Sequence, residues 1–200
     1  LIPAHVTFTF VDEAAVLQTA RGIAVATAPS ANDQAVADLT MALLLALLRR
    51  IPEANASVRA GRWERFLGFG LAGKVFGILG LGRIGQSVAR RAKGFGVDLI
   101  GADLAGSEET AREIGVRRVT VPELLAQSDV ISLHVPLTPE TQGLIDDAAI
   151  ARMKPGVWIV NTSRGKVVNE KAIHAALVSG KVAGYATDVF ETEPPVGSPL

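Results

Sequence analysis

The sequence predicts an α/β fold, a doubly wound parallel sheet preceded by part of a second domain. Three observations carry this. From Lys74 onward, short apolar β-branched runs alternate with segments of helical period. Gly or Pro closes several of the helical segments. Apolar residues make up 48 % of the 200-residue chain, enough to bury a sheet on both faces.

In order, residues 23–27 (IAVAT) read as a strand ended by Pro29, with Ser30, Asn32 and Asp33 as candidate caps of the next helix. That helix runs to about Arg50. It holds the most apolar stretch, residues 39–48, broken only by Thr40 and closed by Arg49 and Arg50. The stretch is too short to span a bilayer and reads as a buried helix at a domain or subunit contact. Pro52 suits the first turn of a second helix, reaching about Ala60. Residues 61–73 mix Gly, Trp, Phe and Arg without a period and read as a connection, where Trp63 is expected at a domain or dimer contact.

Then come a strand (74–79), a helix (84–93) stopped by Gly94, a strand (97–102), a helix (108–114) stopped by Gly115, and a short helix (121–126). A strand (130–134), a helix (146–153) before Pro155, a strand (157–160) with Trp158 in the core, a helix (169–179) before Gly180 and a strand (182–188) complete the series. The expected division is residues 1–70 for the partial second domain with interdomain helices, and 71–200 for the sheet domain.

Composition excludes several classes. Twenty basic and twenty acidic residues balance, which argues against general attraction to nucleic acid or membrane. There is no cysteine, hence no disulfide, thiolate metal site or cysteine nucleophile, and three scattered histidines make no zinc cluster. No signal segment opens the chain, and a cytoplasmic location fits these features. The chain begins on Leu1 and stops at GSPL after a proline-rich stretch, which reads as a fragment lacking both ends.

The first strand feeds GILGLGRIGQSVARRA, in which Gly80, Gly82 and Gly85 form G-x-G-x-x-G, with Asp103 eighteen residues past Gly85. A strand before and a helix after supply the context of a dinucleotide-binding Rossmann turn. Gly80 permits the tight turn, Gly82 admits a pyrophosphate, and Gly85 lets helix pack on strand. Arg83 and Ile84 open the helix whose N-terminus faces the phosphates. Asp103 accepts from a ribose diol and repels a 2′-phosphate, which favours NAD over NADP; the alternative for Asp103 is a helix cap.

At these residues the chain resembles the D-isomer-specific 2-hydroxyacid dehydrogenases. The resemblance covers about Gly22 to Leu200 and rests on GILGLGRIGQSVARRAKGFG, SDVISLHVPLTPETQGLI, MKPGVWIVNTSRGKVVNE and AGYATDVFETEPP. The segment NDQAVADLTMALLLALLRRIPEANASVRAGRWER looks most like the phosphoglycerate dehydrogenase branch. The resemblance implies an NAD domain inserted in a substrate domain built from both chain ends. It implies hydride transfer between nicotinamide and C2 of a small D-2-hydroxy or 2-keto acid, with 3-phosphoglycerate as one possible acid. It also implies a homodimer formed through the helix at residues 33–50. The family's glycine-rich substrate loop is expected before VDEAA, where this sequence reads HVTFTFVDEAA instead.

The catalytic arginine of the family falls on Arg164, at the end of the strand VWIVN. A guanidinium there can hold a carboxylate or carbonyl oxygen through parallel hydrogen bonds. The alternative is a salt bridge with Glu170 or Asp188. Thr162 and Ser163 are expected at the nicotinamide ribose through backbone or hydroxyl groups, and Asp188 at the carboxamide or, alternatively, in a turn. Glu193, before Pro194, takes the place of the glutamate that raises the pKa of a catalytic histidine, with Glu191 as competitor. His134, Val135 and Pro136 of LHVP line the cofactor side, although His134 also reads as a structural histidine.

The family's own histidine follows in a Pro-His dipeptide that this sequence does not reach. The 200-residue chain is therefore expected to turn over poorly. His174 reads as a surface residue, and His5 belongs to no motif. A reading from another class is a non-catalytic NAD-binding module similar to the corepressors of this fold. Within the family, a glycerate, hydroxypyruvate or glyoxylate reductase is the alternative.

Overall fold

A computed structural model describes residues 31–103 and 108–200, of which 32–200 form one compact unit. The expected strand at 23–27, the cap Ser30 and His5 lie outside the described residues. The elements are α1 (Asp33–Leu48), α2 (Ile51–Arg59), β1 (Val75–Leu79), α3 (Arg83–Ala92), β2 (Asp98–Ala102), α4 (Glu108–Glu113), β3 (Arg117–Arg118) and α5 (Val121–Gln127). They continue with β4 (Val130–Leu133), α6 (Asp147–Arg152), β5 (Val157–Asn161), α7 (Glu170–Ser179) and β6 (Val182–Thr187).

The six strands are parallel in the order β3-β2-β1-β4-β5-β6. The chain winds outward from β1 to β3, then returns to the other side of β1 with β4. Such a reversal opens a crevice beyond the carboxyl ends of β1 and β4.

Alternation along each strand feeds two cores. Phe76, Ile78, Leu99, Val130 and Val160 face α1 and α3, while Leu79, Ile100, Ile131, Leu133 and Ile159 face α5, α6 and α7. Each such side chain contributes about 1.5–3 kcal/mol on burial. At the opposite end of the sheet Asp129 accepts from Val75 N–H (2.8 Å) and Lys154 Nζ (2.9 Å). Burial works against its charge, but the bonds from Lys154 and Val75 outweigh it and hold the carboxyl below its ordinary value.

Along the apolar helix α1, expected at a domain or subunit contact, Ala37, Met41, Leu44 and Leu48 face the sheet, whereas Leu39 is 40 % exposed. Two expectations are corrected. A 3₁₀ turn, Lys93–Phe95, carries the chain through Gly94, and the stop is Gly96, whose φ of 68° suits glycine. Trp158 is only half-buried, its ring 5.8 Å from that of Phe69. The two-residue strand β3 was not anticipated.

Candidate cofactor and active site

Between Leu79 and Arg83 the chain turns in three residues. Gly80 has φ 96°, and a Cβ there would lie 2.5 Å from His134 O, so only glycine fits beside β4. Gly82 is the N-cap of the ten-residue α3 and offers no side-chain acceptor to the first-turn N–H groups. A Cβ on Gly82 would meet nothing within 4 Å, so the approach to those N–H groups is open. Gly85 packs so closely that a Cβ would lie 1.9 Å from Gly80 O.

One strand over, Asp103 Oδ2 accepts from Leu81 N–H at 2.5 Å, and Arg118 Nη2 donates to Asp103 O at 3.0 Å. Arg83 Nε pairs with Asp33 Oδ2 at 2.9 Å, tying α3 to the start of α1; Ile84 follows it in the first turn of α3. An uncapped helix N-terminus, an open Cα and a carboxylate at the next strand end suit a dinucleotide.

His134 follows β4 beside this turn. Its Nε2 lies 2.7 Å from Ser132 Oγ, while Nδ1 is sealed from solvent and has no partner among the described residues. Burial pushes its pKa down to about 3, so the ring is neutral at pH 7. Because the unfolded value is near 6.5, the unfolded chain binds the proton first as pH falls. Stability is therefore complete above pH 6.5 and declines below it, by up to about 1.4 kcal/mol per unit. Urea midpoints at pH 7 and 5.5 are expected to drop for the wild type and to change less for His134→Gln; parallel drops would refute this. Val135 packs against the core on the α5 side, and Pro136 O accepts from Thr141 Oγ1 at 2.6 Å.

The loop after β5 is organised by Asn161, which is fully buried. Its Oδ1 accepts from Ser163 N–H (3.0 Å) and Ser163 Oγ (2.7 Å), and its Nδ2 donates to Arg164 O (3.1 Å) and Tyr185 Oη (3.3 Å). Burial raises the Tyr185 pKa against the bonds from Thr187 and Asn161. Thr162 Oγ1 meets Thr40 Oγ1 of α1 at 2.7 Å, and Thr40 also donates to Val36 O. The hydroxyls of Thr162 and Ser163 thus point inward, and the Ser163 N–H is held by Asn161. Arg164 stands exposed, with Nη1 donating to Ser163 O at 2.6 Å.

The segment after β6 closes over this loop. A Cβ on Gly165 would lie 1.9 Å from Phe190 C. Thr187 Oγ1 lies 2.9 Å from Asn161 O. Glu191 Oε1 accepts from Glu170 N–H and Glu170 Oε1 from Glu191 N–H, both at 2.7 Å, while Ser198 Oγ donates to Glu170 Oε2. Both Glu170 oxygens therefore accept bonds from the segment after β6, and Glu191 serves the start of α7. Glu193 remains exposed, accepting from Phe190 N–H at 3.0 Å. Partial burial of the Asp188 carboxyl raises its pKa, its own N–H opposes that, and the negative charge of Glu193 adds to the rise. His174 is exposed on α7.

Gly80, Asp103, His134, Thr162 and Asp188 all follow the carboxyl ends of their strands, so the predicted site residues share one edge of the sheet. Sequence reading missed the roles of Asn161, Tyr185, Thr40 and Arg118. The lone threonine in the apolar run was the visible trace of one of them.

Residues 41–200 match the family model described as "D-isomer specific 2-hydroxyacid dehydrogenase, NAD binding domain". The chain is 49 % identical over 185 residues to a D-3-phosphoglycerate dehydrogenase of Methanocaldococcus jannaschii, covering 91 % of this chain and 35 % of that protein. It is also 49 % identical over 185 residues to a glyoxylate reductase of Thermococcus litoralis, covering 88 % of this chain and 56 % of that protein. A D-lactate dehydrogenase of Aquifex aeolicus, solved with NAD and lactic acid, superposes with a TM-score of 0.81 at 36 % identity, covering 91 % of this chain and 55 % of that one. The chain thus spans between about a third and somewhat over half of these relatives. It belongs to the D-isomer specific 2-hydroxyacid dehydrogenases, and residues 41–200 are their NAD-binding domain.

Proposed function

We propose that the protein transfers a hydride between NAD and C2 of a small D-2-hydroxy or 2-keto acid. The observation that carries this is the gathering of the glycine turn, Asp103 and the Arg164 loop at one sheet edge. When bound, NAD supplies the hydride acceptor or donor at the nicotinamide ring. In this reading Gly80, Gly82, Arg83, Ile84 and Gly85 cradle the pyrophosphate, and Asp103 holds the adenosine ribose. His134, Val135 and Pro136 wall the cleft, while Thr162, Ser163 and Asp188 orient the nicotinamide side. Arg164 binds and polarises the acid, and Glu193 holds a proton-carrying histidine. His134 does not fill that place, because it is buried and neutral.

Residues 71–200 are proposed as the NAD domain, and 1–70 as part of the substrate domain with its connecting helices. Equal identity to a phosphoglycerate dehydrogenase and a glyoxylate reductase leaves both acids as substrates to test. A homodimer is proposed through the helix region at residues 33–50, where Leu39 is 40 % exposed. Among the described residues no helix is long and apolar enough to cross a membrane. The reading places the protein in the cytoplasm, where dinucleotides and keto acids are at hand.

The test is fluorescence titration with NADH, followed by glyoxylate, pyruvate, hydroxypyruvate and phosphohydroxypyruvate. Saturable NADH binding, with a keto-acid response that Arg164→Ala abolishes, is expected. NADH binding with no keto-acid response would favour a non-catalytic module, and no saturable NADH binding would overturn the reading.

A further inference from the structure

Helix α1 grips two elements that lead away from the carboxyl edge of the sheet. At its start Asp33 Oδ2 pairs with Arg83 Nε at 2.9 Å, and Gln34 Nε2 donates to Ser87 Oγ at 3.1 Å, so this end is fixed to α3 behind the glycine turn. Two turns on, Thr40 Oγ1 lies 2.7 Å from Thr162 Oγ1 in the loop after β5. Seven residues bring a helix back to the same face, about 10 Å further along its axis. Asp33 and Thr40 are both on the buried face, and Thr40 is fully buried next to Ala37, Met41 and Leu44.

The direction of the Thr40–Thr162 bond follows from its protons. Thr40 has one hydroxyl proton and donates it to Val36 O at 2.7 Å. Thr162 is therefore the donor to Thr40, and the chain of bonds runs from the loop into α1 and ends on a helix carbonyl. Asn161 ties the same loop to β5 and β6 through Ser163 N–H and Tyr185 Oη. Thr40 ties it to α1.

We propose that Thr40 is a positioning residue for the nicotinamide side of the cofactor site. In this role α1 is a brace: its first turn is fixed to the helix behind the glycine turn, and its Thr40 hydroxyl sets where the Thr162 loop stands. The inference rests on the NAD reading above. A dinucleotide spans both halves of the site and senses their separation, whereas ADP fills only the half at the glycine turn and Asp103. Valine at position 40 keeps the shape of threonine but removes the acceptor of a buried hydroxyl, so Thr162 must shift or stay unpaired. Serine keeps both the donor and the acceptor.

The experiment is NADH titration by fluorescence, with ADP as competitor, for the wild type, Thr40→Val, Thr40→Ser, Thr162→Val and the double valine variant. Thr40→Val is expected to weaken NADH about five- to tenfold, in keeping with one buried hydroxyl left unpaired, while the inhibition constant of ADP moves less than about twofold. Thr40→Ser is expected to restore most of the NADH affinity. Thr162→Val should show the same selective loss, and the double variant should be no worse than either single one, because both remove one bond. Thr40→Cys, of similar size and a weak hydrogen-bonding partner, keeps the test decisive if Thr40→Val folds poorly; it too should lose NADH and keep ADP. An equal loss of NADH and ADP in a folded variant would make Thr40 a plain core residue. That result, unchanged NADH binding in Thr40→Val, no rescue by serine, additive losses in the double variant, or failure of ADP to compete in the wild type would each overturn the proposal while leaving NADH binding intact. Failure of the wild type to bind NADH would overturn the NAD reading together with it.

Discussion

Gly85→Ala is expected to cost about 3 kcal/mol or more and to weaken NADH binding at least about tenfold, whereas Gly82→Ala is expected to keep the fold and lose only the nucleotide. The two glycines lie three residues apart in one motif, yet their surroundings differ. At Gly85 a methyl group would lie 1.9 Å from Gly80 O, and the obstacle is backbone, not the end of a flexible side chain. Either α3 moves away from β1 or the turn before it opens. Both disturb the contact of Val88, Ala89 and Ala92 with the core and displace the N–H groups of the first helical turn. At Gly82 the same methyl meets nothing within 4 Å, and the backbone (φ −66°, ψ −173°) is available to alanine. The space it fills is the approach to the N-terminus of α3. Thermal melts and NADH titrations of both variants separate the cases. A loss of about 3 kcal/mol corresponds to a drop of roughly 6–12 °C in Tm. A wild-type melt for Gly85→Ala, or undiminished NADH binding for Gly82→Ala, would contradict the assignment.

The contrast shows what one chain can and cannot disclose about itself. Strands and helices were legible from residue 74 onward because a parallel sheet covered on both faces requires apolar strands, and each helix has its own period and stop. The strand β3 was hidden because it consists of Arg117 and Arg118 at an edge, where neither burial nor alternation leaves a pattern. Gly94 was misread as a stop because a 3₁₀ turn tolerates glycine, and the positive φ fell two residues later at Gly96. In the site, the glycine turn and the residues around Arg164 were legible because the chemistry sits in contiguous residues. The direction of the hydroxyls was not. Thr162 turns toward Thr40 across 122 residues, and Glu170 exchanges bonds with Glu191 across 21. Such pairs are set by packing of α1 on the sheet and of the segment after β6 on α7, and no local spacing encodes either.

The other large effect is expected at Asn161, where leucine should destabilise by about 3–5 kcal/mol and disorder the loop that carries Arg164. The side chain is of similar size, so the cost is polar. Leucine leaves Ser163 N–H, Ser163 Oγ and Arg164 O without the bonds that Asn161 makes, in a position that is fully buried. Each such group costs about 1–3 kcal/mol when left unpaired away from water. Asn161→Asp provides the sharper test. It keeps the acceptor facing Ser163 but replaces the donor facing Arg164 O and Tyr185 Oη with a second oxygen. A carboxylate there is buried and meets a carbonyl oxygen, so its folded pKa is raised above the unfolded value near 3.9. The unfolded chain releases that proton first as pH rises, so the penalty grows with pH and shrinks as pH falls and the folded carboxyl regains its proton. Relative to the wild type measured in parallel, Asn161→Asp should therefore be markedly weaker at pH 8 and recover toward pH 5, while Asn161→Leu should show a deficit independent of pH. This trend is opposite in sign to the loss expected from His134 over the same range, so the two groups cannot be confused. A deficit for Asn161→Asp that does not shrink at low pH would mean that Asn161 donates nothing essential to Arg164 O, and that the loop is held by Ser163 alone.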